Sequence, residues 1–523
     1  MERGTRGLEQ QPTGGAVGVM RNLAIVFIAC CALAAQMRAQ NPGCDRDSVQ
    51  QCLNRALEAM GGKERLQKIQ AIRFESWGHT LLMEQSYRQE PFITSYERTT
   101  TTLDFTHGRM LAEVRLTWPE SDENQSDITT TTVVGPEGGV RRFKDGDTPC
   151  PLSDIDDARY WLALGPVSGL LTAANARDLH FEKPEVVRST RHSVLAFSWE
   201  GIPIRILLNP FNHLPDATDI TREFHDFWFF WGDVKQRVYF ENWRRVRGVE
   251  FPTNWVEERN GNLWRSRQLQ KIEFNPSLSD DDFKVDVAVA RRSAASAGWK
   301  RPFRPENAIS LAPGIDFFPG PWNATIVKQS DGIVAIEAPI SERYTRDLLV
   351  EAQKRYPGLR IKALLSTSDS WPHIGGVRFA VSQKLPVYIL DLNRPLLDRL
   401  LQAPHSLDPD ALEQSKRRVS VNWKIVSMKQ VLGTGTNRLE LYPIRGPSTE
   451  RQYMVYFPEQ ELLYASDTLV INDNGTLYDP ELMTEVAQAV KREGLAVNKV
   501  FPMHQGPTPW AEVLALIEKS QSS

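Results

Sequence analysis

The stretch Leu364-Leu365-Ser366-Thr367-Ser368-Asp369-Ser370-Trp371-Pro372-His373-Ile374-Gly375-Gly376 decides how this chain is read. It begins at the end of a strand, Lys362 to Leu365, and continues as a loop of hydroxyls, one carboxylate and one imidazole. Ile333 to Ile336 reads as a buried strand opened by the turn Ser330-Asp331-Gly332, and Val387 to Leu390 as another. Arg343 to Arg355 is amphipathic, with Leu348, Leu349 and Ala352 on one helical face. Strands and helices in alternation predict stacked α/β layers.

Further blocks lie on either side. Glu337-Ala338-Pro339 precedes the helix, which ends at Pro357-Gly358. Met454-Val455-Tyr456-Phe457-Pro458 and Leu462-Leu463-Tyr464-Ala465-Ser466-Asp467 follow downstream, and Phe501-Pro502-Met503-His504-Gln505-Gly506 lies near the end. Taken in this order, the blocks resemble the metallo-β-lactamase superfamily from about Pro313 to the C-terminus. In that family the central strand ends in Thr-His-x-His-x-Asp-His-x-Gly-Gly, a hairpin precedes a metal-bridging aspartate, and a last loop supplies a histidine. The resemblance implies an αββα sandwich over residues 310–523, with two mixed sheets inside and helices outside.

The chemistry of that family explains its pattern. Zinc takes imidazole nitrogens and carboxylate oxygens at about 2 Å and keeps a position open to water. The metal lowers the pKa of that water to about 7. Carried over residue by residue, the pattern is incomplete here. The first two histidine positions are Ser368 and Ser370, the aspartate position is Pro372, and the later histidine position aligns with Ser448 in Gly446-Pro447-Ser448-Thr449. A neutral hydroxyl is a poor zinc ligand, so the first metal site is expected to be absent. His373, Asp467 and His504 remain. The resemblance makes them ligands of the second metal, with Asp467 bridging and standing as the candidate catalytic residue. Two imidazoles and one carboxylate suit a single zinc or ferrous ion. On the family pattern Asp369 points away from the metals.

Toward the N-terminus the texture is different. Val49, Leu53, Ala56, Leu57 and Met60 recur at helical spacing and end at Gly61-Gly62. Segments rich in Thr, Val and aromatics follow, at 99–105, 110–118 and 129–134, and again at 194–208, 238–243, 250–257 and 264–274. One helix is expected between them, over 158–176. This order, with Ala56-Leu57 to Met60-Gly61-Gly62 near the start, Val246-Arg247-Gly248-Val249-Glu250-Phe251-Pro252, Ile272-Glu273-Phe274-Asn275-Pro276 and Asp282-Phe283, resembles the outer-membrane lipoprotein-carrier superfamily. The resemblance implies a half-open β-barrel with an apolar groove over residues 41–285. The fold class expected is therefore α+β in two domains, an antiparallel half-barrel-like domain with helices followed by the sandwich, joined by an aperiodic linker over 286–309. Phe224, Phe227, Trp228, Phe229, Phe230 and Trp231 form an aromatic run for a groove, a sheet edge or the other domain, with core or interface packing the simplest use.

The extreme N-terminus reads as a leader. Arg21, the apolar run Leu23 to Ala35, and then Gln36-Met37-Arg38-Ala39-Gln40 make residues 1–40 a secretory signal, with Met20 a candidate start. The run is shorter than the ~20 apolar residues of a membrane span, and no later one is longer. The mature chain is thus expected to be exported, periplasmic or extracellular, and not membrane-spanning. Cys44, Cys52 and Cys150 then remain, which permits one disulfide and one free thiol. A net charge of -3 over 523 residues gives no footprint for nucleic acid.

Three functions follow. Loss of every first-site ligand favours a non-catalytic, scaffold or binding use of the fold in the cell envelope, with no cofactor. The first alternative is a one-metal hydrolase, with zinc or iron on His373, Asp467 and His504 activating water. The second is capture of an apolar ligand or other small molecule by the front domain. The serines beside His373 also allow a nucleophilic serine, which would need a base and an orienting group in reach.

Overall fold

The computed structural model of this protein describes residues 43–82, 94–117, 128–294, 301–415 and 420–522. The expected leader lies outside the described residues. Ser48 opens the first helix, Val49–Ala59, with a capping box. Its Oγ accepts the Gln51 N–H while the Gln51 side chain accepts the Ser48 N–H. Cys44 and Cys52 form a disulfide, and Cys150 is buried and free.

Thirteen strands then form one antiparallel sheet. The first, Ala71–Leu81, pairs with the last, Asn262–Phe274, so the chain starts at the middle of the sheet. It meanders out to one edge at Gly146–Pro149 and returns from the other edge, which begins at His180–Val187. Two helices, Leu152–Leu164 and Ser168–Asn175, make the crossing. The periodicity suggests a single helix there; Gly165-Pro166 splits it, because proline cannot continue the hydrogen-bond ladder. Likewise 194–208 is a hairpin, turned at Glu200-Gly201 where both residues have positive φ.

The helices pack on one face of this sheet, where Leu53, Leu57, Trp161 and Leu170 meet Phe74, Phe197, Phe240 and Trp255. Trp255 stacks on Trp161 with centroids 4.7 Å apart. Alternate residues of a strand share a face, so Glu257 and Arg259 continue the line of Trp255. Both are buried, and Glu257 is bonded to Arg265 and Gln236. The apolar lining therefore gives way to an ion-pair network. The stretch read as a linker also carries structure. Val287–Ala294 is a helix whose Ala290 packs with Val133, Val140 and Phe283. One short turn of small residues leaves no readable period.

From Ile309 onward there are two more sheets, of seven and six strands in sequence order. Their facing sides share one core, in which Phe317, Val334 and Leu365 meet Leu441, Val455 and Phe501. Glu342–Arg355, Val377–Ser382 and Arg394–Gln402 cover the outer face of the first sheet. Pro480–Glu493 and Trp510–Ser522 cover the second. The layers run helix, sheet, sheet, helix. The aromatic run divides between the two cores. Phe224 and Trp228 pack with Val234 and Trp264 of the large sheet, whereas Phe230 joins the sandwich core, with Phe227 and Phe229 beside it. No described helix is long and apolar enough to cross a membrane.

Candidate functional site

Strand Ile361–Ser366 runs parallel to both neighbours, Gly332–Ile336 and Val387–Leu390. It delivers residues 367–370 at its C-terminal end, where open α/β sheets place their ligand loops. A single helical turn, Trp371–Ile374, follows. Pro372 sits in its first turn, where the missing N–H would have had no helical partner. Pro372, expected from the sequence to stand at an aspartate position, is thus a helix starter. The turn is zipped to the loop after Ile336, with the Ile340 N–H on the Pro372 carbonyl at 3.0 Å and the Gly376 N–H on that of Ala338 at 2.9 Å. The approach is so close that a Cβ on Gly375 would lie 2.1 Å from the Ile340 carbonyl oxygen. Glu337 and Ile340 in that loop take left-handed backbone, φ 76° and 66°, a cost that surrounding structure must hold in place.

The three residues carried over from the resemblance come together. Asp467 Oδ1 lies 2.7 Å from His504 Nε2, and Asp467 Oδ2 lies 3.6 Å from His373 Nε2. A fourth group joins them. Glu337 Oε2 is 2.8 Å from His373 Nδ1, with both side chains fully buried. Glu337 Oε1 accepts from Thr367 Oγ1 and from the Tyr464 hydroxyl at 2.9 Å, and Thr367 Oγ1 also meets Ser466 Oγ at 2.7 Å. The Asp467 N–H donates to Gln452, and His504 Nδ1 lies 3.1 Å from the Pro321 carbonyl. The result is a line of alternating charge, Glu337–His373–Asp467–His504.

Electrostatics follow from that line. Burial works against a charge on His373, but the Glu337 carboxylate outweighs it and raises the imidazole pKa to about 10. Burial likewise opposes ionisation of Asp467, yet the His504 cation and the His373 contact hold it well below the usual carboxylate range. His504 is raised in turn, the Asp467 charge overcoming desolvation. Asp369 does not join. Burial pushes its carboxyl up to about 7, and its nearest cation is Arg451 at 3.9 Å.

The serines expected at metal-ligand positions are engaged locally. Ser368 Oγ accepts the Ser370 N–H at 3.2 Å, a turn within the loop itself. Ser448 is drawn onto the helix Pro480–Glu493, its N–H donating to Glu485 Oε1 at 3.0 Å while Thr449 donates twice to Oε2. The His373 backbone N–H donates to the Ser370 carbonyl at 2.9 Å, but no nucleophile–base pair forms, since among the described residues no serine hydroxyl is hydrogen-bonded to the His373 ring.

A metal fits this arrangement poorly. Imidazole must be deprotonated to ligate, and the Glu337 carboxylate 2.8 Å from His373 Nδ1 favours the protonated ring, although neither ring nitrogen of His373 makes a hydrogen bond among the described residues. The His504 nitrogen that would face a metal is hydrogen-bonded to Asp467 instead. Among the described residues no group of three or more His, Cys, Asp or Glu side chains is arranged to hold an ion.

Over this network opens a cavity of about 360 Å³, whose lining includes Ser370, Asp467 and His504 at one end and Phe227, Trp322 and Trp371 along a wall. Sequence reasoning assigned no role to Glu337, Tyr464, Gln452 or Glu485. Glu485 had a signal, a carboxylate among Leu482, Met483, Val486 and Ala489 on the apolar face of its helix, where acids are rarely left unpaired.

No family model matches the chain, and no curated protein sequence matches it. Among solved structures it is similar to the inverting sec-alkylsulfatase Pisa1 from Pseudomonas sp., at 14% identity and a TM-score of 0.31, over 41% of this chain and 41% of that one. It is similar to the metallo-β-lactamase DIM-1 at 16% identity and a TM-score of 0.33, over 42% of this chain and 99% of that one. A metallo-β-lactamase from Pontibacter korlensis gives 20% identity and a TM-score of 0.31, over 40% of this chain and 98% of that one. The chain thus spans well under half the length of the alkylsulfatase, and these are likenesses of fold over part of the chain.

Proposed function

We propose that residues 310–523 keep a metallo-hydrolase fold whose metal place has become a fixed charge network, and that the cavity above it binds a small molecule without metal-dependent hydrolysis. One observation carries this reading, the buried His373 clamped between Glu337 and Asp467. The carboxylate 2.8 Å from Nδ1 favours the protonated ring, which has no lone pair to give zinc. The finer parts of the reading are an envelope protein in two domains, a carrier-like half-barrel over 41–285 and the sandwich, exported after loss of residues 1–40. The Cys44–Cys52 disulfide supports an oxidising compartment.

The one-metal hydrolase alternative requires both imidazoles to lose protons and His504 to leave Asp467. Thermal melting with excess zinc separates the two, because a ligand that binds only the native state raises the melting temperature. The proposal expects no shift. A rise that disappears in His504→Ala would favour the hydrolase. A second reading has its own observation. The front half holds a cavity of about 460 Å³ lined by Leu66, Ile69, Phe105, Leu162 and Leu171 and also by Gln67, Ser168, Thr172 and Asn175, which supports capture of an apolar molecule that carries a polar end. Mass spectrometry of lipid extracted from protein isolated from native membranes tests it, and extracts free of stoichiometric lipid would count against it.

A further inference from the structure

We propose that Phe227, which belongs to the large antiparallel sheet's part of the chain, sets the ligand class of the sandwich cavity: an uncharged molecule with a flat aromatic group, seated against Phe227, Trp322 and Trp371 with its polar end toward Ser370 and His504. The proposal rests on the binding reading above and names the class of ligand that cavity takes.

The walls give the shape. Phe227 and Trp371 have ring centroids 5.0 Å apart, tilted by 32°, and Trp322 meets Trp371 edge-on at 4.9 Å. Three rings of this kind favour an aromatic guest in offset or edge contact, because π-faces and ring edges attract one another. The volume of about 360 Å³ falls within the range of small-molecule pockets, roughly 300–1,000 Å³, and admits two fused rings.

The charges give the polarity. Both oxygens of Asp467 already face imidazole nitrogens. The other lining carboxylate, Asp479, caps its helix by accepting the Glu481 N–H. Asp479 keeps its charge, but the Arg301 guanidinium lies 5.3 Å over the Trp322 ring of the same wall, so neither sign is in excess, and an ion entering a partly apolar cavity would lose hydration without return.

Anchors on both sides hold Phe227 in place. Asp226 accepts the Trp228 N–H at 2.9 Å and takes Arg259 Nη1 at 2.6 Å. Arg259 is itself buried, 3.4 Å over the Trp264 ring and 4.1 Å over Phe224. At the other end of the segment, Asp233 accepts the N–H groups of Ser406 at 2.9 Å and Leu407 at 3.0 Å, while its own N–H donates to the Pro404 carbonyl. The segment is thus tied to the large sheet by Asp226 and to the sandwich by Asp233. Phe229 and Phe230 pack into the sandwich core, and Phe227 is left facing the cavity. The front half therefore completes the pocket of the rear half.

Calorimetric titration of the full chain with 2-naphthol, 2-naphthalenesulfonate and 2-naphthylmethylammonium tests this, since the three share a ring system and differ in charge. The neutral probe is expected to bind tightest. Phe227→Ala should weaken it about tenfold, the loss of one aromatic contact plus its buried area. Phe211→Ala, at an exposed ring outside the cavity lining, should change nothing. If Phe227→Ala fails to fold, Phe227→Leu keeps apolar bulk without the flat face and should still weaken binding. Unchanged affinity in the folded variant, tighter binding of either charged probe, or no binding of any probe overturns the proposal. Failure of the underlying reading is seen separately, as a zinc-dependent rise in melting temperature.

Discussion

Replacing Glu337 by Gln removes one charge from beneath His373 and changes little in shape. The amide oxygen can still accept from Thr367 and Tyr464, so the loss falls on the contact 2.8 Å from His373 Nδ1. Removing one partner of a buried ion pair costs about 3–5 kcal/mol. For a unit of roughly 200 residues, each kcal/mol lowers a melting temperature by about 2–4 °C, so the sandwich should melt on the order of 10 °C lower. The effect depends on pH in a stated direction. Despite burial, Glu337 raises the folded pKa of His373 to about 10, against about 6.5 in the unfolded chain. A raised pKa gives stabilisation that is complete below the unfolded value and lost as pH climbs to the folded one. The gap between wild type and Glu337→Gln should therefore be widest near about pH 6 and narrow toward about pH 10. Scanning calorimetry is the assay, because a chain with several cores is not expected to unfold in one step. A gap that is the same across that range, or no gap near neutrality, would refute a protonated His373.

Gly446→Ala would place a Cβ 1.9 Å from Glu485 Oε2 and push the 446–449 loop off its carboxylate anchor. It should destabilise the sandwich by about 1–3 kcal/mol, as overpacking does; a variant melting like wild type contradicts the tight fit. Cys52→Ser opens a short disulfide loop and should lower the stability of the front sheet by about 2–3 kcal/mol in denaturant titrations. An unmoved midpoint there would mean that the bond is absent or idle. Cys150 is buried, and burial raises its thiol pKa to about 12. Because the thiolate is the nucleophile, native protein should resist iodoacetamide that labels it in denaturant, and rapid native labelling would contradict this burial.

The sandwich was legible because its signals are local. Leu364 to Gly376 and Leu462 to Asp467 are strands running into polar loops, and both lie where the sequence places them. His373, Asp467 and His504 could be singled out because each sits in a short block with its own pattern. Glu337 and Glu485 escaped because their roles depend on contacts 36 and 37 residues away, at His373 and Ser448, and no local pattern reports these. The front sheet was only partly legible. Its Thr- and Val-rich strands show their alternation, but the helical segment 152–175 hides a break at Gly165-Pro166. Helix Val287–Ala294 packs through small residues and carries no period. The aromatic run announced burial without telling against what, since Phe224 and Phe230 lie six residues apart in different cores.

Metal content per chain tests the central claim most directly. Protein expressed in zinc-supplemented medium, desalted without chelator and analysed by plasma mass spectrometry, should carry far less than one equivalent of zinc or iron, because the carboxylates of Glu337 and Asp467, 2.7–3.6 Å from the ring nitrogens of His373 and His504, favour protonated rings over metal ligation. One or two equivalents that survive desalting and vanish in His504→Ala would contradict it.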